Sequence, residues 1–170
     1  GLVWMGEEDF MKAQIEEKIA QGFSCIKLKI GAIDFDKELA LLGYIRTHFS
    51  ENEIEIRVDA NGAFNSNEAL SKLNQLNKFE LHSIEQPIRA NQIQEMKLLC
   101  QQTPFPIALD EELIGAFGTE NKRKLLEEIQ PQYIILKPSL VGGFKGTLEW
   151  IAIAESLNIG WWITSALESN

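Results

Sequence analysis

Short apolar or β-branched runs recur along the chain at Leu2–Met5, Cys25–Ile30, Ile54–Val58, Leu81–Ile84, Pro106–Leu109, Tyr133–Leu136 and Ile159–Thr164. Longer polar stretches lie between them, with apolar residues at helical spacing. The clearest is Asp34–Phe49, where Phe35, Leu39, Leu42 and Ile45 or Phe49 share one face. In Ser66–Leu76 the expected N-cap is Ser66, with Ala69, Leu70, Leu73 and Leu76 on the apolar side. Glu7–Ala20, Asn91–Gln101, Lys122–Ile129 and Gly146–Leu157 complete the helical set. Seven predicted strands alternating with six helices point to parallel βαβ units. No Pro/Gly/Ser-rich linker interrupts them, so residues 1–170 read as one domain.

The polar residues at the strand ends narrow the architecture. Lys29, Asp59, Glu85, Asp110 and Lys137 close five successive strands at intervals of 30, 26, 25 and 27 residues. Each interval is one βα unit. In a closed parallel barrel these carboxyl-end positions converge on one mouth. In an open doubly wound sheet they would form a row, and only those at the switch point would meet. No GxGxxG loop follows the first strand, which counts against a dinucleotide fold. The expected class is α/β, a TIM-type (β/α)8 barrel in incomplete form.

Composition sets the outer bounds. The 170 residues carry 25 acidic against 16 basic side chains, a net charge of −9. Such a balance lacks the basic footprint of a nucleic-acid or anionic-membrane partner. No apolar window approaches the roughly 20 residues of a membrane span, and no signal peptide is visible. Cys25 and Cys100 have no zinc or disulfide spacing, and read as buried thiols in a reducing compartment, the cytoplasm. Neither length nor charge bears on oligomeric state.

The chemistry starts at CIKLKI. By period two, Ile26, Leu28 and Ile30 face the helices, while Lys27 and Lys29 face the barrel interior. A lysine aimed inward needs a counter-charge. One reading is an edge strand with a solvated lysine face. The other is a general base, with desolvation and a second ammonium favouring the neutral amine. Asp59, Glu85 and Asp110 each end a strand, in RVDANG, HSIEQP and ALDEE. Singly, each is a helix cap or loop acid. Together at one mouth they repel, and some stay protonated unless a cation neutralises them. With only oxygen donors, a hard divalent ion fits, Mg²⁺ first and Mn²⁺ as a substitute. Lys137, on the sixth strand, lies across the barrel from Lys29 on the second. Two amines flanking a metal-bound carboxylate suit removal of its α-proton.

Gly142–Gly143 is expected as a tight turn opening a helix. Trp161 and Trp162 are expected as core and helix-layer packing. His48 and His82 fall outside the strand-end set, and no Ser-His-Asp or Cys-His arrangement is evident.

The motifs KLK at 27–29, DANGAF at 59–64, IEQP at 84–87, LDEE at 109–112 and LKPSLVGGF at 136–144 resemble the enolase superfamily in its muconate-lactonising subgroup. The resemblance runs through nearly the whole chain. LKPSLVGG followed by TSALESN at 164–170 resembles the subgroup's dehydratases, which aromatise a cyclohexadiene carboxylate. It implies Mg²⁺ ligation by Asp59, Glu85 and Asp110, with Lys29 as base and as proton donor to the departing hydroxyl. The implied course is a syn elimination through an enediolate. It further implies that Lys27 supports Lys29 and that Lys137 holds the intermediate as a cation. Asn61 corresponds to a polar residue near the metal, and Ser165 to a substrate contact. Glu111 and Glu168 lie in matching motifs without an assigned role. The expected partner is a small carboxylate substrate. The alternatives are racemisation or epimerisation of N-acylamino acids or dipeptides on the same site, and a non-catalytic barrel binding metal and carboxylate.

At about 27 residues per unit, eight units need roughly 216 residues, within the usual barrel range. The expectation is therefore an internal piece of a longer enzyme. It would lack barrel closure and the capping domain that the family uses to close the site.

Overall fold

The computed structural model describes residues 1–166. Seven parallel strands form one sheet in chain order: β1 (Leu2–Val3), β2 (Cys25–Lys29), β3 (Glu55–Asp59), β4 (Ser83–Glu85), β5 (Ile107–Leu109), β6 (Tyr133–Leu136) and β7 (Gly160–Ile163). Six helices alternate with them: α1 (Glu8–Ala20), α2 (Phe35–His48), α3 (Ser66–Leu76), α4 (Ile93–Gln102), α5 (Thr119–Ile129) and α6 (Gly143–Ser156). A doubly wound sheet reverses its strand order at a switch point, and this order never reverses. Leu2 of β1 and Thr164–Ala166 beyond β7 line the same cavity, so the sheet curls round on itself. The architecture is an incomplete (β/α) barrel.

Period-two alternation explains the layering. Ile26, Leu28, Ile56, Val58, Ile84, Ile107, Leu109, Ile134 and Leu136 are buried under the helices. Met11 and Ile15 of α1, Leu41, Leu42 and Ile45 of α2, Leu73 and Leu76 of α3 and Trp150 of α6 close the layer from outside. Register then aligns the polar strand ends. Lys29 lies opposite Asp59, Asp59 opposite Glu85, and Glu85 opposite Ala108.

Several element ends differ from the sequence expectation. Asn65 holds the N-cap of α3, Ser66 is its first helical residue, and no side-chain cap bond forms. The α5 and α6 helices each start three residues earlier than their apolar pattern suggests, at Thr119 and Gly143. The first turn of α5 is polar, and the one apolar residue in that of α6, Phe144, is 85% exposed, so the apolar periodicity begins later. Gly142 and Gly143 are both left-handed, at φ 97° and 67°, which is the expected tight turn. Cys100 is buried but Cys25 is only partly so, and both thiols are free. The tryptophans depart further: Trp161 is 37% exposed, and Trp162 covers Arg57 and Tyr133 rather than the helix layer. Among the described residues β7 pairs only with β6, so little covers this strand. No helix among them is long and apolar enough to cross a membrane.

Gly146, inside α6, packs on the preceding loop. A Cβ there would lie 2.0 Å from the Val141 carbonyl oxygen. Gly146→Ala is expected to cost roughly 1–3 kcal/mol by overpacking backbone. Urea unfolding checks this, and an unmoved midpoint would count against it.

Candidate active site

Five strand ends meet at the carboxyl mouth, and with Lys27 their side chains form ion pairs of alternating charge. Lys29 Nζ donates to Asp59 Oδ2 at 2.6 Å. Lys27 Nζ lies 2.9 Å from the same oxygen and also binds the Glu85 carboxylate. Lys137 binds Asp110 and stands 3.7 Å from Glu85 Oε1. The result is one chain of ion pairs running from Lys29 through Asp59, Lys27, Glu85 and Lys137 to Asp110. Strand-end spacing points to five of these six, and the alternation in CIKLKI points to Lys27. The solvated edge-strand reading of Lys27 and Lys29 is excluded, because both ammoniums point inward onto buried carboxylates.

Burial sets the electrostatics. Asp59, Glu85 and Asp110 are at most 2% exposed. Burial pushes Glu85 up to about 8, aided by the negative charge of Asp59 and hydrogen bonding with Asp110. For Asp59, burial is outweighed by Lys27 and Lys29, which hold its carboxyl below the usual range. Burial alone would lower Lys27, but Glu85 and Asp59 raise it instead. Asp110 and Glu85 likewise outweigh burial at Lys137 and hold it as an ammonium.

The shift at Glu85 has a measurable sign. Its folded pKa lies above the usual 4.5, so the folded state binds the extra proton more tightly. That stabilisation is fully present below about pH 4.5 and is lost as pH rises toward 8. The slope is at most about 1.4 kcal/mol per pH unit for one proton. Without divalent metal, urea midpoints should fall between pH 5 and 8, and Glu85→Gln should flatten that fall. Equal slopes in both proteins would remove Glu85 as the titrating group.

The donor set fits a hard divalent cation. It is all carboxylate oxygen, and Glu85 Oε1 is buried with no hydrogen-bond partner. Among the described residues the carboxylates are not gathered round one metal-sized point. The lysines supply the counter-charge and draw each acid toward its own amine.

Two side chains that the spacing did not single out fasten the loops. Gln86 is fully buried and left-handed at φ 38°. Its Oε1 accepts from the Asp110 and Glu112 amides, and its Nε2 donates to the Ile88 carbonyl and Glu112 Oε2. Glu112, 7% exposed, also accepts from the Asn91 amide. IEQP and LDEE contain both residues, but nothing in their periodicity says that these polar groups turn inward.

Asn61 stands beside Lys29 at the mouth. Its backbone amide donates to Asp59 Oδ1 and its Oδ1 accepts from Lys29 Nζ at 2.7 Å. Ser165 lines a cavity of about 250 Å³ with Lys27, Lys29, Lys137, Leu140 and Thr164. Glu168 lies outside the described residues. His48 caps the end of α2 through the Tyr44 carbonyl, and His82 stacks on Tyr133 and Trp162. Neither belongs to the lysine–carboxylate chain.

The model of the family described as "Enolase C-terminal domain-like" matches residues 10–169. The chain is 61% identical, over its whole length, to an o-succinylbenzoate synthase of Desulfotalea psychrophila, covering 46% of that protein. It superposes with a TM-score of 0.92 and 58% identity on a crystal structure of MenC from Desulfotalea psychrophila, covering all of this chain and 47% of the other. It is 33% identical to an N-succinylamino acid racemase of Thermus thermophilus, over 95% of this chain and 41% of that protein. The chain thus spans about half the length of the relatives it matches.

Proposed function

The chain belongs to the enolase C-terminal domain-like family, and from that premise we propose that it forms the catalytic barrel of a Mg²⁺-dependent o-succinylbenzoate synthase. Such an enzyme is a lyase that dehydrates 2-succinyl-6-hydroxy-2,4-cyclohexadiene-1-carboxylate, here assigned to the cytoplasm and to menaquinone biosynthesis. The observation that carries this reading is the alternating chain, with Lys29 at one end on Asp59 and Lys137 near the other, between Glu85 and Asp110. The 61% identity to a protein of that name supports the substrate.

Asp59, Glu85 and Asp110 would hold the metal. Bound there, it supplies positive charge for the substrate carboxylate as the α-proton leaves. Lys29 takes that proton as the free amine. The electron pair moves into the carboxylate, then returns to form the ring double bond as the C–O bond breaks. Lys29 delivers its proton to the departing hydroxyl, and water leaves from the same face. Asn61 Oδ1 holds the Lys29 nitrogen in place. Lys27 supports Lys29 by sharing its acceptor, Asp59 Oδ2, at 2.9 Å. Lys137, held as an ammonium by Asp110 and Glu85, stabilises developing negative charge from the opposite face. Ser165, on the cavity wall, contacts the succinyl end.

The test uses the full-length protein. Ultraviolet absorbance of the cyclohexadiene is followed with and without Mg²⁺, and metal-dependent conversion to the aromatic product is expected. No conversion would reject the reading. A second reading, racemisation of N-acylamino acids, draws on the Thermus thermophilus relative and on the opposed lysines. It requires Lys137 to exchange protons too, so solvent deuterium entering an N-succinylamino acid from both faces would favour it.

A further inference from the structure

We propose that Glu111 is a positioning residue for Lys29 and acts through the side-chain amide of Asn61. The proposal rests on the reading of Lys29 as the base. A relay of side chains carries it: Lys29 Nζ donates to Asn61 Oδ1 at 2.7 Å, and Asn61 Nδ2 donates to Glu111 Oε1 at 2.8 Å.

An asparagine amide has nearly the same shape in its two orientations, so packing alone does not choose between them. Hydrogen bonding does, because one end only accepts and the other only donates. The Glu111 carboxylate can only accept, so it takes the NH₂ group and turns Oδ1 toward Lys29. In the flipped state two acceptors would meet at Glu111, and the NH₂ group would meet the ammonium as a second donor or occupy the lone pair that the Lys29 amine needs for the α-proton.

Both partners of the relay are themselves fixed. Asn61 holds a left-handed backbone at φ 44°, with its amide tied to Asp59 Oδ1 at 3.0 Å. Asparagine tolerates that conformation better than most residues. Glu111 opens a one-turn 3-10 helix, Glu111–Leu113, in which the Leu113 amide donates to the Asp110 carbonyl at 3.0 Å. Its second oxygen, Oε2, is buried with no hydrogen-bond partner. Burying a carboxylate oxygen unsatisfied costs stability, so the side chain gains nothing structural beyond its bond to Asn61.

The acid could act in two other ways: through its neighbour Asp110, or through its charge on Lys137, which it raises. A double-mutant cycle in the full-length enzyme separates these routes. Glu111→Gln keeps the shape but gives the amide pair two workable orientations. It is expected to lower kcat about tenfold, the usual scale for an outer-shell partner, with KM and Mn²⁺ affinity within about twofold. In an Asn61→Ala background the same substitution should make no further difference to kcat. An undiminished tenfold loss in that background, weakened Mn²⁺ binding, or an unchanged kcat for Glu111→Gln would each overturn the proposal. Lys29→Ala measured beside them separates the two claims. Retained turnover there removes the base assignment. An inactive Lys29→Ala with an unaffected Glu111→Gln removes only the relay.

Discussion

Lys29→Ala in the full-length enzyme is expected to lower turnover of the cyclohexadiene substrate by about 10²–10⁴-fold, the span of a positioned acid–base group. The upper end is expected, because the same amine would take the α-proton and protonate the leaving hydroxyl. Aromatisation favours product but supplies no base. Mg²⁺ affinity should change little, since Lys29 gives no oxygen donor and Lys27 remains on Asp59 Oδ2 at 2.9 Å. Single-turnover absorbance measures the first effect and a metal titration the second. Turnover within tenfold of wild type would remove Lys29 as the base.

Glu85→Gln carries the second large effect. A direct ligand should cost metal affinity more than the 10–100-fold typical of an outer-shell partner. Replacing a carboxylate by an amide removes a full negative charge from a hard-cation site. The pH dependence gives an independent signature. Glu85 is pushed up to about 8 in the metal-free protein, and a ligand must be deprotonated to bind. Wild-type affinity should therefore climb with pH by at most about tenfold per unit, then level off above about 8. The Gln variant should lack that climb. Calorimetric titrations between pH 6 and 9 test both statements. Equal affinities for the two proteins would refute Glu85 as a ligand.

Much of this site is legible in the order of residues. Lys27 and Lys29 declare an inward face because alternate positions are aliphatic, and Ile26 and Leu28 are buried as that requires. The intervals between Lys29, Asp59, Glu85, Asp110 and Lys137 place them at one mouth, because each βα unit returns the chain to the same end of the sheet. How the charges pair is less legible. Spacing puts three acids together, yet whether they turn to one cation or to the lysines depends on competing electrostatic terms. Gln86 was beyond reach for another reason. A buried left-handed glutamine looks in sequence like any polar residue after a strand. The early start of α5 follows from a polar first turn and that of α6 from an exposed Phe144, and Trp162 from a cation–π contact with Arg57, which no local pattern announces.

Gln86 has a consequence for how such a barrel changes its chemistry. Three hydrogen bonds from one buried amide join the end of β4 to the turn after β5, and a fourth ties it to the Ile88 carbonyl, so Glu85 and Asp110 travel as one rigid unit. The cavity wall also draws on Leu2 of β1, Leu140 after β6 and Thr164–Ala166 after β7, outside the two loops that Gln86 joins. Mutations there can remodel the pocket for a different carboxylic acid without disturbing the acids of the mouth. Substrate choice and proton abstraction are then inherited on separate parts of the scaffold, and one can drift while the other is held.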